Sequence, residues 1–134
     1  GAVDNRDKAR VVRRVLRGMA VGELDEVALM PDSFGIGFHA LDGLELPYRV
    51  RHLDMPVTGT QDDSLRASKC LRQEGAACVV VLGGDGTHRV VAKECGAIPL
   101  VALSTGTNNV WPQPTEGTLA GMAAALIAQG TVPH

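Results

Sequence analysis

Aromatic residues are scarce in this sequence, at 3% of 134 residues. The four aromatic side chains, Phe34, Phe38, Tyr48 and Trp111, are too few and too scattered to form the base-stacking platform of a single-strand nucleic-acid binder. The formal net charge is only −2, which gives no general attraction to nucleic acid or to an anionic membrane surface. We therefore expect neither nucleic acid nor membrane among the partners.

Cysteine is also rare. Cys70, Cys78 and Cys95 form no C-x-x-C pair, and their odd number suits no closed disulfide framework, so we expect no zinc site and no disulfide scaffold. The longest nearly apolar run, residues 119–128, is about half the length that a bilayer span needs. The charged beginning of the sequence is unlike a signal peptide. These features predict reduced, buried thiols and a cytoplasmic location.

The remaining composition, 45% hydrophobic and 21% charged, is typical of one soluble globular domain over residues 1–134. Hydrophobic periodicity and turn residues divide this domain into alternating helices and strands. Helices are predicted over about 5–20, 32–44, 62–74, 88–95 and 116–129, and strands over about 26–30, 48–53, 79–82 and 99–103. Asp32 or Ser33, Thr60 with Asp63, and Thr115 are the predicted N-terminal caps, and Gly75 is a predicted C-terminal cap. The alternation favours an α/β fold, a parallel sheet with helices on both faces.

The stretch 79–87 is the most informative part of the sequence. Four apolar residues run into Gly83-Gly84-Asp85-Gly86-Thr87, which reads as a buried strand, a tight turn and the start of a helix. The glycines would let backbone N–H groups approach a phosphate closely. Asp85 is out of place in a phosphate loop unless it holds Mg²⁺ or takes a proton. The alternative is an ordinary β–α turn in which Asp85 is the helix N-cap.

A second polar loop, residues 104–112, follows the next predicted strand. The carboxyl ends of neighbouring parallel strands lie at the same sheet edge, where open α/β sheets bind ligands. We therefore expect the two loops to converge on one nucleotide. For one of the two asparagines in the second loop, a turn with positive φ is the favoured interpretation, and Thr87 would equally suit a plain helix start. The predicted nucleotide- and phosphate-binding residues are Gly83, Gly84, Gly86, Thr87, Thr105, Gly106, Asn108 and Asn109.

Residues 83–87 resemble the signature of the NAD kinases and of the diacylglycerol and sphingosine kinases, with a close variant in the 6-phosphofructokinases. With the second loop included, the resemblance to the NAD-kinase-like proteins extends over about residues 4–133. It implies a three-layer, Rossmann-like domain of the NAD-kinase N-terminal type, with Asp85 as the catalytic residue. It also implies ATP or polyphosphate as donor, Mg²⁺, and NAD as the first candidate for acceptor. The turn at residues 58–60 would lie near the nucleotide.

The sequence departs from these families in ways that leave its function open. Those kinases begin with a strand and continue into a second, β-rich domain, so residues 1–134 would be a truncated nucleotide-binding domain, inactive alone. Its sheet would have an unpaired position that a homo-oligomer could cover. His88-Arg89 replaces the Asn-Glu of the lipid kinases, and these two residues would contact phosphate or lie at the surface. An NAD-kinase-like phosphotransferase, a non-catalytic nucleotide-sensing module and a lipid kinase are the functions considered.

Overall fold

The fold was analysed in a computed structural model, which describes residues 2–104 and 112–131. Helices and strands alternate along the chain, as the hydrophobic pattern predicts, and the strands are parallel, which confirms the α/β class. A short 3₁₀ turn, Met19–Val21, follows the first helix. The helices are α1 (Ala2–Gly18), α2 (Ile36–Leu41), α3 (Asp62–Gln73), α4 (Asp85–Cys95) and α5 (Pro114–Thr131), and the strands are β1 (Glu26–Leu29), β2 (Arg49–His52), β3 (Val79–Gly83) and β4 (Leu100–Ser104).

The strands form two parallel pairs within the described residues, instead of one continuous sheet. β1 pairs with β2, with Val27 opposite Val50, and β3 pairs with β4, with Val81 opposite Ala102. Helices cover both faces of these pairs, so the layered arrangement agrees with the prediction. β1 and β3 are not hydrogen-bonded to each other, and this is where the predicted continuous sheet is divided.

The main hydrophobic core lies where α1 and α5 pack over the strands. Val11 and Leu16 of α1 and Ala124 and Ala125 of α5 are all at most 3% exposed. A smaller cluster joins β3 to α4 through Val79, Val81, Val91 and Cys95, so the strand that precedes the glycine-rich turn is anchored directly to the helix that follows it.

Glycines allow the backbones of α1 and α5 to touch. A Cβ atom on Gly121 would lie 2.0 Å from the carbonyl oxygen of Val15, and one on Gly18 would lie 2.2 Å from the carbonyl oxygen of Thr118. No side chain fits at such distances. The glycine that interrupts the apolar run of α5 is therefore a requirement of helix packing.

The predicted caps are confirmed in part. Neither Asp32 nor Ser33 is the N-cap of α2, because this helix begins at Ile36 after Gly35 and ends at Leu41, within the expected bounds of 32–44 but shorter. The carboxylate of Asp32 instead orders the turn before the helix, where it accepts hydrogen bonds from the backbone N–H groups of Phe34 at 2.8 Å and Ile36 at 3.1 Å. At the end of α3, Gly75 adopts φ = +76°, and the hydrogen bond from Ala76 N–H to the Leu71 carbonyl completes a Schellman motif.

Thr115 is not the cap of the last helix. α5 begins one residue earlier, at Pro114, and the carbonyl of Gln113 accepts the first hydrogen bonds, from Glu116 at 2.9 Å and Gly117 at 3.2 Å. Proline suits the first helical position because its missing N–H would have no partner there. In residues 2–104 and 112–131, no helix combines the length and apolarity needed to cross a bilayer.

Candidate functional site

The glycine-rich turn joins β3 to α4 within two residues. Gly83 ends the strand, Gly84 is the N-cap with extended dihedral angles, and Asp85 is the first helical residue. The interpretation of Asp85 as the N-cap is therefore wrong. Because Gly84 has no side chain, none of the described side chains caps the first turn of α4. Free N–H groups at the positive end of a helix are a favourable site for an anion such as phosphate.

The carboxylate of Asp85 is exposed at this helix end. Within the described parts of the chain it makes no hydrogen bond or ion pair, so it is available to a ligand, a proton or a cation. The same parts contain no group of three or more His, Cys, Asp or Glu side chains that could hold a metal ion. Mg²⁺ is commonly bound by one or two carboxylates together with substrate phosphates. Asp85, a free carboxylate beside an uncapped helix end, fits that requirement.

Thr87 lies directly over the last residue of β3. A Cβ atom on Gly83 would lie 3.0 Å from the Cβ of Thr87 and 3.2 Å from its hydroxyl oxygen. The threonine side chain points back over the turn, as side chains on a helix lean toward its N-terminus. Its hydroxyl and methyl groups therefore both lie close to the end of the strand that leads into the turn.

The loop after β2 approaches the same turn. The side-chain nitrogen of Gln61 lies 3.1 Å from the position of a Cβ on Gly86, and the Ser33 hydroxyl, from the loop after β1, lies 3.9 Å from that of a Cβ on Gly59. The loops that follow β1, β2 and β3 therefore meet at one edge. No sequence motif indicated that Gln61 or Ser33 would lie at this edge, because their positions depend on how distant elements pack.

Asp63 holds the β2 loop in shape. Its carboxylate accepts hydrogen bonds from the backbone N–H groups of Thr58 and Gly59, both at 2.8 Å, and from the Arg66 guanidinium at 2.9 Å. The bond from Thr58 N–H is the largest of the effects that lower the pKa of Asp63 to about 2. The predicted capping box is therefore wrong, because Gln61 is the N-cap of α3 and the carboxylate of Asp63 bonds residues 58 and 59.

Only part of the second predicted loop can be compared with this geometry. Gly83 is opposite Ser104 in the parallel ladder, so the loop after β4 begins next to the glycine-rich turn, at the expected edge. Thr105, Gly106, Asn108 and Asn109 lie outside the described residues.

The two residues that follow the turn differ in exposure. Arg89 is exposed, as one of the two interpretations expected. His88 is half-buried, and its Nε2 atom is buried without a hydrogen-bond partner in the described part of the chain, so His88 is not a surface residue.

Comparison with known proteins identifies relatives of the chain. Residues 10–131 match the model of the ATP-NAD kinase N-terminal domain family. Acetoin catabolism protein X of Cupriavidus necator is 44% identical over 135 residues, which cover 95% of this chain and 37% of that protein. The chain thus spans little more than a third of the curated relative that it matches. No solved structure matches it.

Proposed function

Because this chain belongs to the ATP-NAD kinase N-terminal domain family, we propose that it is the nucleotide-binding part of an enzyme that transfers a phosphoryl group to a hydroxyl acceptor. The observation that carries the proposal is the uncapped N-terminus of α4, with Asp85 free beside it and two glycines leading into it. This arrangement combines a phosphate cradle with a carboxylate, and family membership supports a kinase-like, nucleotide-binding module.

The glycine-rich turn would bind the phosphates of the donor, ATP or polyphosphate. N–H groups at residues 84–87 would donate to phosphate oxygens, and the Thr87 hydroxyl would add one further hydrogen bond. Phosphoryl transfer depends mainly on positioning and on neutralising charge, so such contacts carry much of the catalysis. Mg²⁺, when bound with the nucleotide, supplies positive charge, and Asp85 is the residue of the turn that would hold it.

Asp85 also suits proton transfer. A carboxylate oxygen of Asp85 would accept the proton of the acceptor hydroxyl as that oxygen attacks the phosphorus atom. NAD is the first candidate for the acceptor, since the family is named for it. We propose that Thr105 and Gly106 approach the nucleotide through their backbones and that Asn108 and Asn109 bind its ribose or adenine edge.

A second candidate function is a non-catalytic nucleotide sensor, associated with acetoin catabolism. It is favoured by the residues after the turn, because His88-Arg89 stands where the lipid kinases carry Asn-Glu. The name of the Cupriavidus relative points to a catabolic role and states no kinase activity. The same departure from the lipid kinases argues against a lipid acceptor.

The test is phosphoryl transfer by the complete natural protein from labelled ATP·Mg²⁺ to NAD and to a panel of lipids. Wild type is compared with Asp85→Asn and with Asp42→Asn, a matched loss of one exposed carboxylate after α2. We expect transfer to NAD by wild type and Asp42→Asn, none by Asp85→Asn, and nucleotide affinities within about tenfold of each other. Unchanged turnover in Asp85→Asn would overturn its catalytic role. Nucleotide binding without transfer to any acceptor would favour the sensor.

A further inference from the structure

Phe38 of α2 has the most exposed of the large apolar side chains that the structure describes, at 68%. Its ring is nevertheless held in place, because it stacks on the imidazole of His52 with 4.2 Å between the ring centroids and 18° between the ring planes. One face of the phenyl ring is therefore covered by His52. The opposite face is the one that stays open to solvent.

His52 gives this ring a rigid support. It is the last residue of β2, and α2 packs so closely on it that a Cβ atom on Gly37 would lie 2.5 Å from the His52 Nε2 atom. That nitrogen is buried, and among residues 2–104 and 112–131 it has no hydrogen-bond partner. The imidazole is therefore fixed by packing against α2, and the phenyl ring that lies on it has a defined orientation.

The stacked pair lies on the same edge of the molecule as the candidate site. His52 is opposite Leu29 in the β1–β2 ladder, and these are the last residues of the two parallel strands. The loops that continue from these strands contact each other and the glycine-rich turn at residues 83–87. A ligand with one end at this turn can therefore extend across the loops toward Phe38.

Exposed apolar side chains are concentrated in the segment that carries Phe38. Met30 and Phe34, in the loop between β1 and α2, are 40% and 63% exposed, so three of the six exposed large apolar side chains that the structure describes lie within residues 30–38. The backbone here is ordered by the hydrogen bonds of the Asp32 carboxylate. Exposed apolar side chains that are grouped in this way, instead of scattered singly, mark a binding surface.

A flat ring with one open face is suited to a flat aromatic ligand. Every nucleobase has a π-face, and stacking on an aromatic side chain stabilises binding whichever base is present. Aromatic rings stack favourably, and a base on the open face of Phe38 would extend the pair that Phe38 forms with His52. Because the ring is already held in place, little side-chain freedom is lost when the base binds.

We propose that Phe38 binds the base of the nucleotide whose phosphates occupy residues 83–87, with adenine as the ring that ATP and NAD share. The proposal rests on the proposed function in one respect, that the glycine-rich turn binds the phosphates of a nucleotide. It goes further, because it makes Phe38 a residue that selects a nucleotide over inorganic polyphosphate. The few, scattered aromatic residues of the sequence exclude a platform for several bases, but one ring is sufficient for one base.

NMR titration of the complete natural protein with selectively labelled phenylalanine tests the stacking directly. Phe38→Leu assigns the Phe38 ring signals by their loss. We expect ATP, NAD or both to move these signals upfield, because a stacked base shields the ring, and inorganic tripolyphosphate to leave them in place. A shift with ATP alone identifies the adenine of the donor, and one with NAD alone that of the acceptor. No shift with either nucleotide, or an equal shift with tripolyphosphate, would overturn the proposal.

Calorimetric titration measures how much the ring contributes. We expect Phe38→Leu to weaken nucleotide binding by about tenfold and to leave tripolyphosphate binding unchanged, whereas Phe38→Tyr, which keeps a flat ring, should bind like wild type. Leu126→Ala is the matched control, because it removes another exposed apolar side chain, 59% exposed, in the second half of α5. Equal nucleotide affinity in Phe38→Leu and wild type would contradict the assignment.

Further measurements separate this proposal from the proposed function. If ATP moves the Phe38 signals in a protein that transfers no phosphate, the base site is supported and the enzyme is not. If adenosine moves them while tripolyphosphate does not bind, the base site is supported and the phosphate cradle is overturned. If Phe38→Leu lowers the molar mass in light scattering but leaves nucleotide affinity unchanged, the ring is a contact between two copies, and the proposal is overturned.

Discussion

The side-chain amide nitrogen of Gln61 lies 3.1 Å from the point that a Cβ atom on Gly86 would occupy. This close approach joins the β2 loop to the first turn of α4, and it shows how little room the glycine-rich turn leaves. The obstacle is the end of a flexible side chain, so Gln61 can move aside when residue 86 is enlarged. Any Cβ at position 86 would still stand beside the free N–H groups.

We therefore predict that Gly86→Ala keeps the fold but weakens nucleotide binding by about tenfold or more, equivalent to about 1.4 kcal/mol. Calorimetric titration of the complete protein with ATP·Mg²⁺ measures the affinity, and thermal unfolding checks the fold. Gly130→Ala is the matched control, because nothing lies within 4 Å of its added Cβ, and it should bind nucleotide like wild type. Equal affinity in both variants would show that the turn does not contact the ligand.

Asp63 makes the shape of the β2 loop dependent on pH. Its pKa is held at about 2 in the folded protein, against 3.8 ordinarily. A lowered pKa means that the stabilisation is fully present above about pH 4 and is lost as the pH falls toward 2. We predict that Asp63→Asn lowers the unfolding temperature at pH 7 and flattens its decline between pH 4 and 2.

Asp62→Asn is the control for that experiment, since it removes the neighbouring, exposed carboxylate in the same helical turn. It should keep the steep acid dependence of the wild type. Thermal melts followed by circular dichroism across the pH range give the comparison, and identical profiles for Asp63→Asn and wild type would contradict the assigned role.

Tyr48 is the only tyrosine in the sequence, and this makes its ionisation easy to follow. Its buried hydroxyl donates a hydrogen bond to the Leu16 carbonyl, and burial raises the pKa of Tyr48 to about 12. Because ionisation is easier in the unfolded chain, stability should fall as the pH rises from about 10 to 12. Ultraviolet titration should show tyrosinate appearing near pH 12 or together with unfolding. Its appearance near pH 10 in a folded protein would show that the hydroxyl is exposed.

The contact between α1 and α5 should tolerate no side chain at position 121. A Cβ there would lie 2.0 Å from the Val15 carbonyl oxygen, which is backbone and cannot move aside cheaply. We predict that Gly121→Ala destabilises the protein by about 1–3 kcal/mol or more. Gly130→Ala, in the same helix, should be stabilising by roughly 0.5–1 kcal/mol, because alanine is the better helix former. Urea unfolding of the complete protein measures both, and a stable Gly121→Ala variant would contradict the close packing.

Local patterns were sufficient to predict most elements and the position of the glycine-rich turn between a strand and a helix. The succession of β3, the glycine-rich turn and α4 follows from an apolar run, three glycines and a helical pattern that are adjacent in the chain. The hydrogen bonds of the Asp32 carboxylate and the left-handed conformation of Gly75 are likewise local, because they involve backbone groups within a few residues. The exact N-cap of α4 was not predicted, because Gly and Asp are both favoured N-cap residues and Gly84 and Asp85 are adjacent in the chain.

The sequence by itself therefore determined the α/β class, the approximate bounds of the elements and the placement of residues 83–87 between a buried strand and a helix. It did so because periodicity, capping and turn chemistry act between residues that are close along the chain. Only the tertiary structure decided that Gln61 leans over Gly86, that Gly121 is needed against Val15, and that Phe38 stacks on His52. These features depend on which distant elements become neighbours and on how closely their backbones approach. A pattern of residues close along the chain contains no information on that separation.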